Sequence, residues 1–314
     1  MSYSFAPVLT LTAATSYGCS IRKMALDSIG NAVAEAGTTY SSDDDPDLVF
    51  DAAPFGLKTI ESLLEEVPRH KALLQAAARG FVQYGFARLQ QEADFVEESD
   101  LSRATALRDR ARRHYKRALE YGLRGLEVDF PGLRARLRAD PAAALARTAK
   151  RHVPLLYWTS LAWGGAISIS KDDSELTADQ YVVEAMMKRA LALDEGYEHG
   201  AGHDFFIAYD GGRPASAGGS VERARTHLER AVALSNGHRA WPLVTFAETV
   251  SVSLQERREF ERLLRQALAI DADAAPALRV TNLLAQRRAR WLLSRAGELF
   301  LEAPSPSPSS REDE

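Results

Sequence analysis

The sequence has very little cysteine and no excess of basic charge. Among its 314 residues, Cys19 is the single cysteine, so no disulfide can form within the chain. The formal net charge is −4. Domains that bind nucleic acid or anionic lipid through their overall charge are normally basic, so no nucleic-acid partner is predicted.

Alternation of apolar and polar residues with period two, which marks a half-buried strand, is also missing. Helical patterns take its place throughout the chain. The pair Asp45-Pro46 is typical of a helix start, and apolar residues at helical spacing follow it up to Leu64. We therefore predict an all-α protein.

Charge is absent from Val153 to Ser170, a stretch near the lower length limit for a membrane helix. Pro154, Gly164, Gly165 and five hydroxyl side chains argue against a membrane span. A helix buried on all sides is the simpler interpretation, because the stretch offers no polar face to water. A second interpretation is that its aromatic faces and hydroxyls line a cavity.

An internal repeat predicts the architecture. Four segments carry a small residue, a large residue four positions later and an alanine three positions after that: Ala111/Tyr115/Ala118, Val183/Met187/Ala190, Ala224/Leu228/Ala231 and Phe260/Leu264/Ala267. Their alanines are 72, 41 and 36 residues apart. A tetratricopeptide repeat has about 34 residues, and its second helix carries this signature.

We therefore predict a tetratricopeptide-like α-solenoid of antiparallel helix pairs over residues 19–302. The predicted pairs are 69–92 with 100–128, 151–170 with 176–194, 198–210 with 220–235, and 239–254 with 256–270. A last helix is predicted over 277–301. Residues 303–314 are rich in proline and serine, which predicts a disordered tail.

The N-terminus resembles a bacterial lipoprotein signal. A short apolar run over residues 5–14 precedes Cys19, so residues 1–18 are interpreted as a signal segment and Cys19 as the acylated residue. Two features depart from this pattern. No Lys or Arg occurs between Met1 and Tyr17, and Ser16 stands where such signals usually have leucine.

Several short motifs together resemble the T component (TatT) family of tripartite ATP-independent periplasmic (TRAP) transporters. They are Gly18-Cys19-Ser20-Ile21, Pro54-Phe55-Gly56-Leu57-Lys58, Gly80-Phe81-Val82-Gln83-Tyr84, Val153-Pro154-Leu155-Leu156-Tyr157-Trp158, Trp163-Gly164, Ser170-Lys171-Asp172, Gly200-Ala201-Gly202-His203-Asp204-Phe205 and Gln286-Arg287-Arg288-Ala289. The resemblance implies a periplasmic lipoprotein with a tetratricopeptide-like solenoid. It also implies association with the transporter's solute-binding protein, delivery of an apolar ligand, and a homotrimer.

Aromatic residues supply the candidates for a ligand cavity. In a solenoid the first helices of successive repeats lie side by side on the concave surface. The aromatic residues predicted to face one cavity are Tyr84, Tyr157, Trp158, Trp163, Phe205, Phe206 and Tyr209. For any one of them, packing in the core is the simpler interpretation, although as a group they fit the usual composition of a ligand pocket.

His199 and His203 have the i, i+4 spacing of zinc ligands on a helix. Gly200 stands where a zinc protease has glutamate, and no third ligand lies nearby, so a polar contact at a helix start is favoured over a metal. Arg287, Arg288 and Arg290 could form a basic patch, but an ion-paired or solvated helix face is the preferred interpretation. No catalytic residue, metal or cofactor is predicted.

The leading hypothesis is thus a non-enzymatic, lipid-anchored accessory protein of a TRAP system. It would bind the solute-binding protein and a small apolar ligand, in the periplasm. The alternative is a general tetratricopeptide scaffold for protein–protein interaction, which predicts a polar groove suited to peptides instead of an apolar cavity.

Overall fold

The protein, in a computed structural model, is described over residues 28–33, 37–170 and 172–301. Within them the regular structure is helical and no strand occurs, so the all-α prediction is confirmed. The α-helices after residue 36 are α1 (Gly37–Ser41), α2 (Pro46–Glu66), α3 (Lys71–Gln83), α4 (Gln91–Val96), α5 (Leu101–Glu127), α6 (Leu133–Ala139), α7 (Pro141–Leu145), α8 (Val153–Ser168), α9 (Ser174–Ala178), α10 (Gln180–Leu193), α11 (Gly202–Gly211), α12 (Val221–Leu234), α13 (Trp241–Phe246), α14 (Arg257–Leu268), α15 (Arg279–Ser294) and α16 (Ala296–Leu299). Cys19, the signal segment 1–18 and the tail 303–314 lie outside the described residues.

Short polar side chains define where several helices begin. The Asp45 carboxylate accepts hydrogen bonds from the backbone N–H groups of Asp47 and Leu48, at 3.0 and 3.1 Å. Pro46 then takes the first helical position, where its missing N–H costs nothing. Asp100 caps α5 in the same way. These caps satisfy N–H groups that the helix itself leaves unpaired.

Helices close in sequence pack against each other. α3 packs on α5, α8 on α10, α11 on α12, and α13 on α14. Contacts also run from each pair to the next, because α5 packs on α8, α10 on α11, α12 on α13 and α14 on α15. The first helices touch as well, α3 with α8, α11 with α13, and α13 with α15.

The repeat residues form the contacts between these helices. All of them are buried: Ala111, Tyr115, Ala118, Val183, Met187, Ala190, Ala224, Leu228, Ala231, Phe260, Leu264 and Ala267. Alanine lets the facing helix approach closely, and the larger residue fills the space beside it. The Tyr115 hydroxyl, although buried, donates a hydrogen bond to Gln90 Oε1 at 2.7 Å.

The uncharged stretch forms α8, which is surrounded by α3, α5 and α10. Most of its residues are buried, which explains why it has no polar face. The Ser160 hydroxyl donates to the Leu156 carbonyl at 2.7 Å, so it is buried without losing a hydrogen-bond partner. Within the described residues, no helix combines the length and apolarity that crossing a membrane requires.

The last long helix returns to the first ones. α15 contacts α1 and α2, and Val280 and Leu284 pack with Phe50 of α2. Arg287 extends this contact with two hydrogen bonds to the Asp47 carboxylate, each 3.1 Å long. The row of helices is therefore closed by contacts between its two ends.

The predicted final helix over 277–301 is interrupted. α15 ends at Ser294 and the short α16 follows Arg295. The Ser294 hydroxyl donates to the Trp291 carbonyl at 2.7 Å. Such a local bond competes with the backbone hydrogen bonds that continue a helix.

Two neighbouring glycines of α8 allow a matched test of this packing. A Cβ added at Gly165 would lie 2.7 Å from Cε1 of the buried Tyr115 ring, whereas one at Gly164 would make ordinary contacts from 3.4 Å. Gly165→Ala is expected to lower the unfolding free energy by about 1–2 kcal/mol through overpacking. Gly164→Ala is expected to leave it unchanged or raise it by up to about 1 kcal/mol, as alanine favours helix. Urea denaturation measures both, and equal effects of the two would contradict the packing described.

Candidate ligand cavity

A large cavity lies among the helices that come first in each pair. Its volume is about 1160 Å³, slightly above the roughly 300–1,000 Å³ typical of small-molecule sites. α2, α3, α8, α11, α13 and α15 all contribute side chains to the wall. Because α15 packs against α2, the cavity is bounded by both ends of the row of helices.

Most of the aromatic candidates are brought together on this wall. Tyr84, Tyr157, Trp158, Phe205 and Tyr209 line the cavity, as does Gly164. Phe205 and Tyr209 stack with ring centroids 5.3 Å apart, and Tyr157 meets Trp158 edge-on at 4.9 Å. The Trp158 indole N–H donates to the Tyr197 hydroxyl at 3.2 Å, which fixes the orientation of its ring.

Two of the candidates lie elsewhere. Trp163 is buried in the core among α5, α8 and α10, and Phe206 stacks on His227 with ring centroids 4.9 Å apart. The reason is helical periodicity. Most wall residues of α8, among them Trp158, Leu161 and Gly165, share one face. A turn of 100° per residue places Trp163 outside that face, although Ile167, one turn after it, reaches the edge of the wall. The same rotation of 100° per residue turns Phe206 away from the face of α11 that carries the wall residues Phe205 and Tyr209.

The rest of the wall is largely apolar. Phe86 and Trp241 are both part of it and contact each other, with ring centroids 5.3 Å apart. Further apolar wall residues are Val33, Val49, Phe50, Leu57, Ile60, Leu161, Val183, Val280 and Leu284. Such a surface favours an apolar ligand through the hydrophobic effect.

One charged pair, Arg239 with Asp204, interrupts this apolar surface. The Arg239 guanidinium is buried and donates from both Nη atoms to the Asp204 carboxylate, with Nη1 and Oδ1 3.1 Å apart. Burial raises the pKa of Asp204, and the neighbouring Arg239 cation opposes that rise. The bidentate geometry compensates the desolvation of both charges.

A second charged group centres on Arg288. This buried side chain donates to the Glu248 carboxylate, and its Nη1 lies 3.0 Å from Asp94 Oδ2. Arg288 also lies over the Trp291 ring, 4.2 Å from its centroid. Three separate parts of the chain, near residues 94, 248 and 288, therefore meet at one guanidinium on the wall.

Arg79 is the cation of the wall with the weakest partner. Its Nη1 is 3.8 Å from Glu198 Oε1, and both side chains are about one-third exposed. Its guanidinium carbon lies 5.6 Å from the centroid of the Trp158 ring. Such a pair contributes little to stability, so Arg79 can move at small cost.

The Tyr209 side chain lies between two charged residues, Glu184 and Arg213. It donates to Glu184 Oε2 at 2.8 Å, and Arg213 lies 3.6 Å from its ring centroid. Burial, together with the hydrogen bond to Glu184, raises the pKa of Tyr209 to about 12. The hydroxyl is therefore neutral at physiological pH and serves as a hydrogen-bonding group.

Two π-helical segments shape the wall. Tyr84–Gln90 joins α3 to α4, and Ala247–Ser251 follows α13. A π-helical turn contains an extra residue, so it rotates the side chains that follow it, and such turns are frequent at functional sites. Tyr84, Phe86 and Glu248 reach the cavity from these two segments.

The two histidines considered as zinc ligands do not share a helix face. His199 has a φ of 56° and lies in a 3₁₀ turn before α11. His203 Nδ1 is instead 2.8 Å from His227 Nδ1, and its Nε2 is 3.3 Å from Glu195 Oε1. In the parts of the chain that the structure describes, no group of three potential ligands is arranged to hold a metal.

The sequence did not single out the charged groups of the wall. Asp204 stands in the sequence only as one residue of the motif Gly200–Phe205, and Arg239 belongs to none of the motifs. Arg288 was interpreted as part of an ion-paired or solvated surface. Asp204 could have been included among the candidates, because it directly precedes the candidate Phe205, and both residues line the cavity.

Comparison with known protein families shows which family this chain belongs to. The model of the family described as TAtT, TRAP transporter T-component, matches residues 42–300. The chain belongs to this T-component family. The resemblance found in the sequence is thereby confirmed, and membership gives the chain an accessory role in TRAP transport.

The T-component chain is also similar to an uncharacterized protein of Treponema pallidum (strain Nichols). The two are 28% identical over 303 residues, which cover 91% of this chain and 94% of that protein. The similarity therefore extends over most of the chain.

The His203 contact predicts a dependence of stability on pH. Burial and the neighbouring His227 lower the pKa of His203 from 6.5 to about 4. Between these values the unfolded chain binds more protons, so the unfolding free energy is expected to fall by roughly 2–3 kcal/mol as pH decreases from 6.5 to 4. His203→Asn is expected to remove most of that loss, while His199→Asn, at an exposed position, retains it. Urea denaturation across this pH range measures the unfolding free energy. The same dependence on pH in the wild-type protein and both variants would contradict the prediction.

Proposed function

We propose that this T component is a non-enzymatic accessory protein that binds a small apolar ligand in its cavity and docks the solute-binding protein of its TRAP system. The cavity carries the proposal, because it is large, mostly apolar and lined by aromatic side chains from many helices. Its charged side chains lie in ion pairs such as Arg239 with Asp204, as in sites that orient a ligand of limited polarity.

The helix packing supports a tetratricopeptide-like solenoid as the framework of this function. Consecutive helices pack in pairs, and each pair contacts the next. The alternative, a general scaffold for peptides, calls for a polar concave groove. The apolar wall around Tyr157, Trp158 and Trp241 favours a ligand carrier instead.

The partner and the location belong to the same proposal. We infer that the solute-binding protein docks near the mouth of the cavity and that ligand passes between the two proteins. The proposal places the chain in the periplasm as a homotrimer, held to a bacterial membrane through acylated Cys19. Light scattering on the purified protein measures the number of subunits.

A bulky side chain placed inside the cavity is expected to weaken ligand binding. Ala208 is exposed and faces the cavity, so Ala208→Trp adds bulk there without displacing the core. We expect its affinity for diphenylhexatriene, a hydrocarbon dye that fluoresces in apolar surroundings, to fall more than about tenfold through steric exclusion. Ala142→Trp, at an exposed position of α7 away from the wall, is the control and keeps wild-type affinity. Equal binding by both variants would contradict a ligand site in this cavity.

The anchor can be tested separately. Cys19→Ala, expressed in a bacterium from the full gene, is expected to leave the membrane fraction and appear in the soluble periplasmic fraction, because its acyl chains are lost. Wild-type protein is expected to remain with membranes and to migrate as precursor when the lipoprotein signal peptidase is inhibited by globomycin. An unchanged fractionation of the variant would contradict lipidation of Cys19.

A further inference from the structure

The Gln91 side chain is a buried amide whose nitrogen lacks a hydrogen-bond partner. Gln91 is 3% exposed, belongs to the cavity wall, and its Nε2 has no hydrogen-bond partner. Its neighbour Gln90, by contrast, accepts the Tyr115 hydroxyl at 2.7 Å. Buried polar groups are nearly always paired, so an unpaired amide on the wall of a cavity calls for an explanation.

A buried guanidinium with a poorly aligned acceptor lies on the same wall. Asp94 follows Gln91 by one helical turn, and its Oδ2 is 3.0 Å from Arg288 Nη1. That contact is an ion pair without the angles of a hydrogen bond, and Nη1 is buried with no hydrogen-bond partner. The Arg288 Nη1 group thus has only a poorly aligned acceptor in Asp94, and the Gln91 amide nitrogen has none.

The charges around them select a neutral acceptor. Arg288 lies between the carboxylates of Asp94 and Glu248, and Asp94 Oδ1 also accepts from Arg108 Nη2 at 2.9 Å. An anionic head group would therefore be repelled by the carboxylates of Asp94 and Glu248. A cationic head group would be repelled by the guanidinium groups of Arg288 and Arg108. A carbonyl oxygen can accept from the amide and the guanidinium without either repulsion.

We propose that Gln91 and Arg288 form a polar subsite for the carbonyl oxygen of an otherwise apolar, uncharged ligand, such as an ester of a long-chain acid. The last torsion of a glutamine side chain is broad, so a small rotation turns the amide N–H toward the ligand. The rest of the ligand lies along the aromatic wall. This subsite rests on the proposed function, since it requires the cavity to bind a ligand.

Displacement of diphenylhexatriene by three compounds of equal chain length tests the subsite. The compounds are methyl decanoate, sodium decanoate and decane. Wild-type protein is expected to bind methyl decanoate most tightly. Gln91→Met, which keeps the length of the side chain and removes the amide, is expected to weaken methyl decanoate about three- to tenfold, as for one lost hydrogen bond. Its affinities for decane and for the dye are expected to stay unchanged.

The thermal stability of the unliganded protein shows whether the Gln91 amide serves the ligand or the fold. Gln91→Met is expected to keep or raise the melting temperature of the unliganded protein, because it removes an unpaired buried donor. Gln266→Met, at an exposed position of α14, is the control for the substitution itself and leaves every affinity unchanged.

The outcomes distinguish the two proposals. Dye binding without a selective loss of methyl decanoate in Gln91→Met overturns the subsite and leaves the ligand carrier intact. A lower melting temperature of Gln91→Met also overturns it, since the amide would then be structural. Failure of the dye to bind wild-type protein overturns the ligand-carrier proposal and the subsite with it.

Discussion

The ion pairs of Arg288 hold the two ends of the helical row together. Arg288 comes from the last long helix, Asp94 from the first pair, and Glu248 from the segment after α13. A buried guanidinium is tolerated only beside such partners, and removing one of them typically costs about 3–5 kcal/mol. Closure of the row is thus enforced by charge as well as by the apolar contact of Leu284 with Phe50. The cavity follows from that closure.

The two helices of each pair have different tasks. The second helices, such as α5 and α14, carry the repeat residues and are packed through alanines. The first helices are then free to present aromatic side chains to the space they enclose. This division explains why the repeat signature is legible in the sequence although the cavity residues show no repeat of their own. Packing restricts residue size at every repeat, whereas the cavity wall places no common restriction on the residues that line it.

The sequence predicted those features that depend on local pattern. Helical periodicity and caps such as Asp45 identified the all-α class, and five aromatic candidates lie on one wall. Trp163 and Phe206 were grouped with them by proximity in sequence, although their helical angle places them in the core. The Arg288 pairs and the two π-helical turns depend on residues from distant segments and on local crowding. A single sequence carries no direct signal for either.

The closing contact between Arg287 and Asp47 joins residues 240 positions apart. During synthesis from the N-terminus, α2 through α14 are made before α15, so the nascent chain first holds an open arc with an exposed apolar inner face. Long-range contacts of this kind form late, because the entropy of closing the loop must be compensated first. The apolar inner face that comes to line the cavity is therefore also the surface most in need of protection from aggregation while the chain is being made.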